Sequence, residues 1–223
     1  FSEKKIIIYE VVRIINKVPL FIEDHLDRLH KSARLENCKI LVSDLEIINS
    51  LKQLAKENQV ENGNVKIEIH FSNGSQLLFL AYFIKHYYPS PFQYENGINV
   101  LLYSNERKNP NAKIFNLQYK KSIEAIISEN MVYEVLLINK KGYITEGSKS
   151  NVFFIKENIL YTAPANYVLP GITRNYVINI AEKLSVSVKE ECVHIKNIDE
   201  FESAFITGTS PKVLPIEKIN GKN

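Results

Sequence analysis

Alternation of apolar and polar positions organises the first part of the chain. Residues 9–15 and 18–22 read as a strand pair joined through Asn16-Lys17. From residue 24 to 35 the period lengthens, placing Leu26, Leu29, His30 and Ala33 on one helical face. Ser43-Asp44-Leu45-Glu46 has the form of a capping box, in which the Ser43 and Glu46 side chains satisfy each other's backbone N–H groups. It predicts a helix whose apolar stripe is Ile48, Leu51, Leu54 and Ala55. Val65, Ile67, Ile69 and Phe71 alternate strictly and predict a half-buried strand. Asn73-Gly74 is a tight-turn signal, with residues 76–84 as the returning strand.

The pattern breaks at His86-Tyr87-Tyr88-Pro89-Ser90-Pro91, a rigid and turn-rich stretch. It predicts a small N-terminal lobe over residues 1–87, a linker over 88–96 and a larger C-terminal lobe over 97–223. In the second lobe short strands alternate with helices. Residues 97–103, 134–138, 151–155 and 213–216 read as strands, with Glu146 in a loop between the second and third. Residues 117–129 read as a helix turning Ile123, Ile126 and Ile127 inward. Pro170-Gly171 introduces another, reaching about residue 184, with Val177, Ile180, Ala181 and Leu184 at helical spacing. No internal repeat or low-complexity segment is visible. The fold class is α+β with two lobes.

Composition narrows the function. The chain has 223 residues, 45% of them apolar, enough for a substantial core. A net charge of +3, evenly spread, gives no reason to expect a nucleic-acid partner. The longest apolar run, residues 77–84, is too short to span a bilayer, and no signal peptide is visible. Cys38 and Cys192 form no C-x-x-C pair and read as reduced thiols, which fits a cytoplasmic protein. His25, His30, His70, His86 and His194 are scattered, and no metal site is expected. Phe1 in place of Met, and a turn-like Gly221-Lys222-Asn223, leave the completeness of both ends open.

Five features combine into candidate chemistry. Lys113 stands among small and apolar residues in Asn111-Ala112-Lys113-Ile114-Phe115-Asn116, a setting that favours a neutral, nucleophilic amine. Glu146 lies in Ile144-Thr145-Glu146-Gly147-Ser148. Gly171-Ile172-Thr173 opens a helix, where unpaired N–H groups and the positive dipole end suit a phosphate. Thr207-Gly208-Thr209-Ser210 is a second turn suited to the same anion, and Arg28 offers a planar fork. Taken singly, each has an ordinary reading: a solvated lysine, a loop carboxylate, a helix start, a filled turn, an arginine paired with Asp24 or Asp27. Together they supply an amine for an aldehyde, a carboxylate for a ring nitrogen and a grip for a phosphate. That set suits pyridoxal 5′-phosphate.

Longer stretches carry a resemblance. Tyr9-Glu10-Val11-Val12-Arg13, His25-Leu26-Asp27-Arg28-Leu29, the run Thr145-Glu146-Gly147-Ser148-Lys149-Ser150-Asn151-Val152-Phe153, and Leu169-Pro170-Gly171-Ile172-Thr173-Arg174 are similar to those of the fold-type IV pyridoxal-phosphate enzymes. This class IV aminotransferase family includes D-amino-acid and branched-chain aminotransferases and aminodeoxychorismate lyase. The resemblance runs over nearly the whole chain and implies a two-lobed fold with the coenzyme between the lobes. It implies that Lys113 binds the coenzyme and moves the proton, and that Glu146 pairs with the pyridine nitrogen. Arg28, Gly171, Ile172, Thr173 and Thr209 would hold the phosphate, and Leu169 would pack on the ring. Tyr9, Arg13, Arg107 and Ser210 would face the substrate. A homodimer acting on an amino acid and a 2-oxo acid is implied as well.

Two departures bear on substrate. After the 65–71 strand the D-amino-acid enzymes carry an Arg and a His that trap the substrate carboxylate, whereas this chain has Phe71-Ser72-Asn73-Gly74-Ser75. Lys4-Lys5-Ile6-Ile7-Ile8 stands where relatives have an earlier strand and a glycine-rich stretch. The leading expectation is an aminotransferase. The alternatives are the lyase, which eliminates pyruvate without an amino acceptor, and a catalytically altered paralogue.

Overall fold

A computed structural model describes residues 4–222; Phe1 and Asn223, on which the reading of the two ends rests, lie outside the described residues. The chain forms two compact units: Phe1–Tyr87 with Ala112–Phe115, and Tyr88–Asn111 with Asn116–Asn223.

The first unit is an antiparallel sheet with two helices. Its strands are β1 (Lys5–Ile15) and β2 (Val18–Pro19), then after helices α1 (Ile22–Leu35) and α2 (Asp44–Glu57), β3 (Gly63–Ser72) and β4 (Ser75–Ile84). The sheet order is β2-β1-β3-β4. Register sets Ile8 against Ile69, Ile6 against Phe71 and Val12 against Val65. Strict alternation therefore puts all six on one face, where they share a core with Leu26 and Leu29 of α1 and Ile47 and Leu51 of α2. The helical cap expected at Ser43 and Glu46 is present in both directions. Asn73 and Gly74 both adopt positive φ, as a two-residue hairpin turn demands.

One strand is shorter than its pattern. Residues 18–22 read as a strand, but β2 stops at Pro19 and α1 begins at Ile22. Pro19 has no N–H for the ladder, and Phe21 takes a left-handed conformation that ends the extended run.

The second unit begins earlier than the predicted linker allows. Ser90-Pro91 starts α3 (Pro91–Asn96), with Ser90 and Gln93 in a reciprocal cap and Pro91 in the first turn, where its missing N–H costs nothing. Then follow β5 (Ile98–Ser104), α4 (Leu117–Asn130), β6 (Glu134–Ile138), β7 (Tyr143–Gly147), β8 (Asn151–Lys156), β9 (Ile159–Thr162), α5 (Ile172–Lys183), β10 (Val188–Glu190), β11 (Val193–His194), β12 (Ser203–Gly208) and β13 (Lys212–Ile219). The nine strands form one mixed sheet, order β10-β9-β8-β12-β13-β5-β6-β7-β11. On α5 the apolar stripe did not predict burial: Ala181 is buried, but Ile180 and Leu184 are 53% and 70% exposed. The buried positions of that helix are Ile172 and Arg174 in its first turn and, from the stripe, Ala181.

Leu51 is fully enclosed, whereas the Ser43 cap is exposed. Leu51→Ala should cost about 2–5 kcal/mol of stability, and Ser43→Ala about 1 kcal/mol. Urea denaturation of the two variants checks both the size and the order.

Candidate active site

Lys113 belongs by its backbone to the first unit. The Tyr9 N–H donates to the Lys113 carbonyl at 3.1 Å, the Phe115 N–H donates to the Ile7 carbonyl at 2.9 Å, and Ile114 bridges Ile8. The short segment is thus laid along β1. The sequence placed Lys113 in the C-terminal lobe, since order along the chain cannot show a four-residue return to an earlier strand. The Lys113 N–H donates to Ser32 Oγ at 3.1 Å, and that hydroxyl donates to the Arg28 carbonyl at 2.8 Å. The Lys113 ammonium stands 5.0 Å from the Tyr9 ring centroid.

Arg28 is buried, and so is the partner that orients it. Glu10 falls at an inward position of β1, between Ile8 and Val12, with none of its surface exposed. Arg28 Nε donates to Glu10 Oε1 at 2.7 Å and Nη2 to Oε2 at 2.7 Å, a bidentate fork. His25, three residues earlier on α1, adds its Nδ1 to Glu10 Oε2 at 2.8 Å. Burial alone would raise the Glu10 carboxyl, but the charge and hydrogen bonds of Arg28, then those of His25, hold it far below the usual range. Burial lowers His25 from its ordinary value, against the pull of Glu10, so the neutral ring donates to the carboxylate. Glu10 and His25 were not assigned roles from sequence. The signal was a charged residue in the inward register of an alternating strand, facing an i, i+3 pair on the next helix.

In the second unit the two specific motifs interlock. Glu146 lies on β7 rather than in a loop, because the ladder to β6 shifts register between Leu136 and Ile138. It is 2% exposed. Its Oε2 accepts the Leu169 N–H at 3.1 Å, and Oε1 pairs with Arg107 Nε at 3.2 Å. Arg107 also donates from Nη2 to the Ser148 carbonyl at 2.6 Å, and its guanidinium lies over the Tyr119 ring. Asn151 donates to the Leu169 carbonyl at 2.9 Å. Leu169 is therefore gripped through both its backbone groups, one from each flank of the motif. Sequence reasoning missed Asn151 and also Glu134, a buried carboxylate on β6. Glu134 accepts from Ser148 Oγ, in a short contact, and from Ser150 Oγ at 3.2 Å. The turn has no room for side chains: a Cβ on Gly147 would come 2.0 Å from Ser150 Oγ.

The anion end fits a phosphate. Gly171 caps α5 with no side chain bonded to the first-turn N–H groups, which leaves the Ile172 and Thr173 amides at the positive end of the helix. A Cβ on Gly171 would meet Asn151 Oδ1 at 2.0 Å, so only glycine lets the chain pass there. Thr207, at the end of β12 and next to the predicted turn of Thr209 and Ser210, is 1% exposed. Its Oγ1 is buried without a hydrogen-bond partner among the described residues. A buried hydroxyl lacking an acceptor is what an anion-binding turn presents before its ligand arrives. These residues suit the phosphate of pyridoxal 5′-phosphate, and Glu146 suits its ring nitrogen.

Glu10→Gln removes the buried carboxylate charge that the Arg28 fork grips and should cost about 3–5 kcal/mol in denaturation measurements. The pH profile carries a second test. Because His25 binds a proton less readily when folded, the unfolded chain protonates first as pH falls through about 6.5, and stability should drop there. His25→Gln should flatten that limb between about pH 7 and 5 relative to the parent.

The family model described as amino-transferase class IV matches residues 7–219. The D-alanine aminotransferase of Bacillus licheniformis is 29% identical over 226 residues, which cover 96% of this chain and 79% of that protein. A probable branched-chain-amino-acid aminotransferase of Thermotoga maritima is 31% identical over 222 residues, covering 96% and 77%. The crystal structure of a putative branched-chain amino acid aminotransferase from Thermotoga maritima superposes with a TM-score of 0.84 at 30% identity, covering 98% of this chain and 78% of that one. A putative 4-amino-4-deoxychorismate lyase from Legionella pneumophila shares the fold, with a TM-score of 0.81 at 21% identity over 96% and 83%. The chain belongs to the class IV aminotransferases, enzymes that depend on pyridoxal 5′-phosphate.

Proposed function

We propose that this enzyme exchanges an amino group between an amino acid, of the D- or branched-chain type, and a 2-oxo acid. The observation that carries this reading is Glu146, buried and held on both oxygens by Leu169 and Arg107. A carboxylate fixed in that way, away from water, keeps its charge aimed at one point. The names of the Bacillus and Thermotoga relatives point to the same two substrate types.

The coenzyme, when bound, supplies an electron sink for the bond broken at the substrate Cα. Lys113 Nζ is the amine that would hold it and would move the proton at the substrate Cα. Its half-buried position beside Tyr9 limits the water that competes for that proton. Glu146 would accept a hydrogen bond from the ring nitrogen and favour its protonated form, and Leu169 would pack on the ring. By the family resemblance Arg28, its fork gripped by Glu10, would bind the phosphate, as would Gly171, Ile172, Thr173 and Thr209, and Tyr9, Arg13, Arg107 and Ser210 would face the substrate.

A homodimer is part of the reading. Tyr176, Ile180 and Leu184 of α5 leave an exposed apolar row at i, i+4 and i+8 spacing, the kind of face a second copy covers. No described helix is long and apolar enough to cross a membrane. Cys38 and Cys192 are free thiols, which supports placement in the reducing cytoplasm.

Lys113→Ala should abolish the visible band that forms with pyridoxal phosphate. Glu146→Gln should retain the coenzyme and slow turnover by about 100-fold or more; an unchanged rate would remove Glu146 from its role. A D- and L-amino-acid panel should bleach the parent's band, whereas pyruvate release without an amino acceptor would reassign the protein as a lyase. Light scattering on the purified protein should return twice the chain mass, and Ile180→Glu should return the single mass.

A further inference from the structure

The face of the first sheet opposite its helices carries a charged cluster outside the roles assigned above. Lys66 lies on β3, in register with Val11 of β1 and Tyr82 of β4. Its ammonium sits 4.1 Å from the Phe115 ring centroid and 5.0 Å from that of Tyr9. Those rings meet edge to face, 6.0 Å apart. The Lys113 amine is also 5.0 Å from the Tyr9 centroid. The two amines thus share one aromatic neighbour and cannot be farther apart than twice that distance.

Glu68 anchors Lys66 from one side in a short ion pair. Despite burial, the carboxyl of Glu68 is held below its usual range by the Lys66 hydrogen bond, then by those of His70 and Tyr82 and the Lys66 charge. Its charge is thereby shared among three donors. A lysine ammonium has three donors of its own, and Glu68 takes one. The rings shield the cation from water, and the Lys66 side chain keeps 13% of its surface exposed.

We propose that Lys66 is the cation that holds the substrate's α-carboxylate, a specificity contact that accompanies the aminotransfer reading and rests on it. The α-amino nitrogen and the carboxylate of an amino acid share one carbon. A charge-assisted hydrogen bond of about 2.7–2.9 Å from Lys66 therefore brings the nitrogen to the neighbourhood of Lys113. Tyr9 lies beside both amines and Phe115 beside Lys66, so the carboxylate meets its cation in a partly water-excluded setting, where such a bond is strong.

Propionate, a carboxylate without an amino group, is the probe. Titrated calorimetrically into the coenzyme-loaded enzyme, it should bind the parent and lose about 10- to 100-fold in affinity with Lys66→Met, the size expected for one hydrogen bond to a charged group. Lys66→Arg should restore most of the affinity. With whichever amino acid bleaches the parent's band, the saturation constant in Lys66→Met should rise in parallel, with the limiting rate changed by no more than several-fold. The Lys113-dependent band itself should be unaltered. If Lys66→Met does not fold, Lys66→Gln serves in the same comparison. Propionate binding within twofold of the parent, or no binding to the parent at all, would overturn the proposal. If no amino acid bleaches the parent, the aminotransfer reading fails, while the propionate comparison still decides the role of Lys66.

Discussion

A carboxylate in the inward register of an apolar strand must be paired, and Glu10 is that carboxylate. Its neighbours along β1 are Ile8 and Val12, both fully buried, and α1 brings the partners of its two oxygens. Arg28 and His25 arrive together because three residues separate them on a helix. The pairing fixes the angular setting of α1 on the sheet. Ser32, one turn beyond Arg28, is then positioned to receive the Lys113 N–H. A charge-satisfaction requirement in the core thus stands one helical turn from the hydroxyl that, together with the backbone of β1, holds the Lys113 segment.

The second unit solves a related problem with backbone groups. Glu146 and Asn151, on either flank of one turn, hold the N–H and the carbonyl of Leu169. The glycines at 147 and 171 are fixed by that closeness, since a Cβ at either meets an oxygen at 2.0 Å. Two motifs far apart in sequence are therefore one object. A substitution in either is felt at the carboxylate and at the start of α5 together.

Much of this was legible beforehand, for reasons that differ by residue. The alternation of Val65, Ile67, Ile69 and Phe71 works because one face of β3 is truly dry, and the Ser43 cap works because it is local. The family motifs led to the coenzyme and the reaction class. Failures came where tertiary context decides. The stripe on α5 could not reveal that Ile180 and Leu184 would remain uncovered within one chain. Glu146 read as a loop residue because a shift in ladder register leaves no periodic trace. Glu10 was visible as part of a motif, yet its role needed a partner helix that no sequence window contains.

The four residues Ala112–Phe115 return to the first unit after the chain has already begun the second. That detour has a consequence for how the protein is made. A nascent chain that has emerged only as far as Tyr87 carries every strand and helix of the first unit and both partners of the Glu10–Arg28 fork, but not Lys113. The amine joins by closing a loop that spans residues 88–111, a step whose entropy is lost late and for few bonds. The segment that carries Lys113 is thereby the last part of the first unit to be made, and a cut anywhere in residues 88–111 would leave it joined to β1 and Ser32 by non-covalent contacts alone.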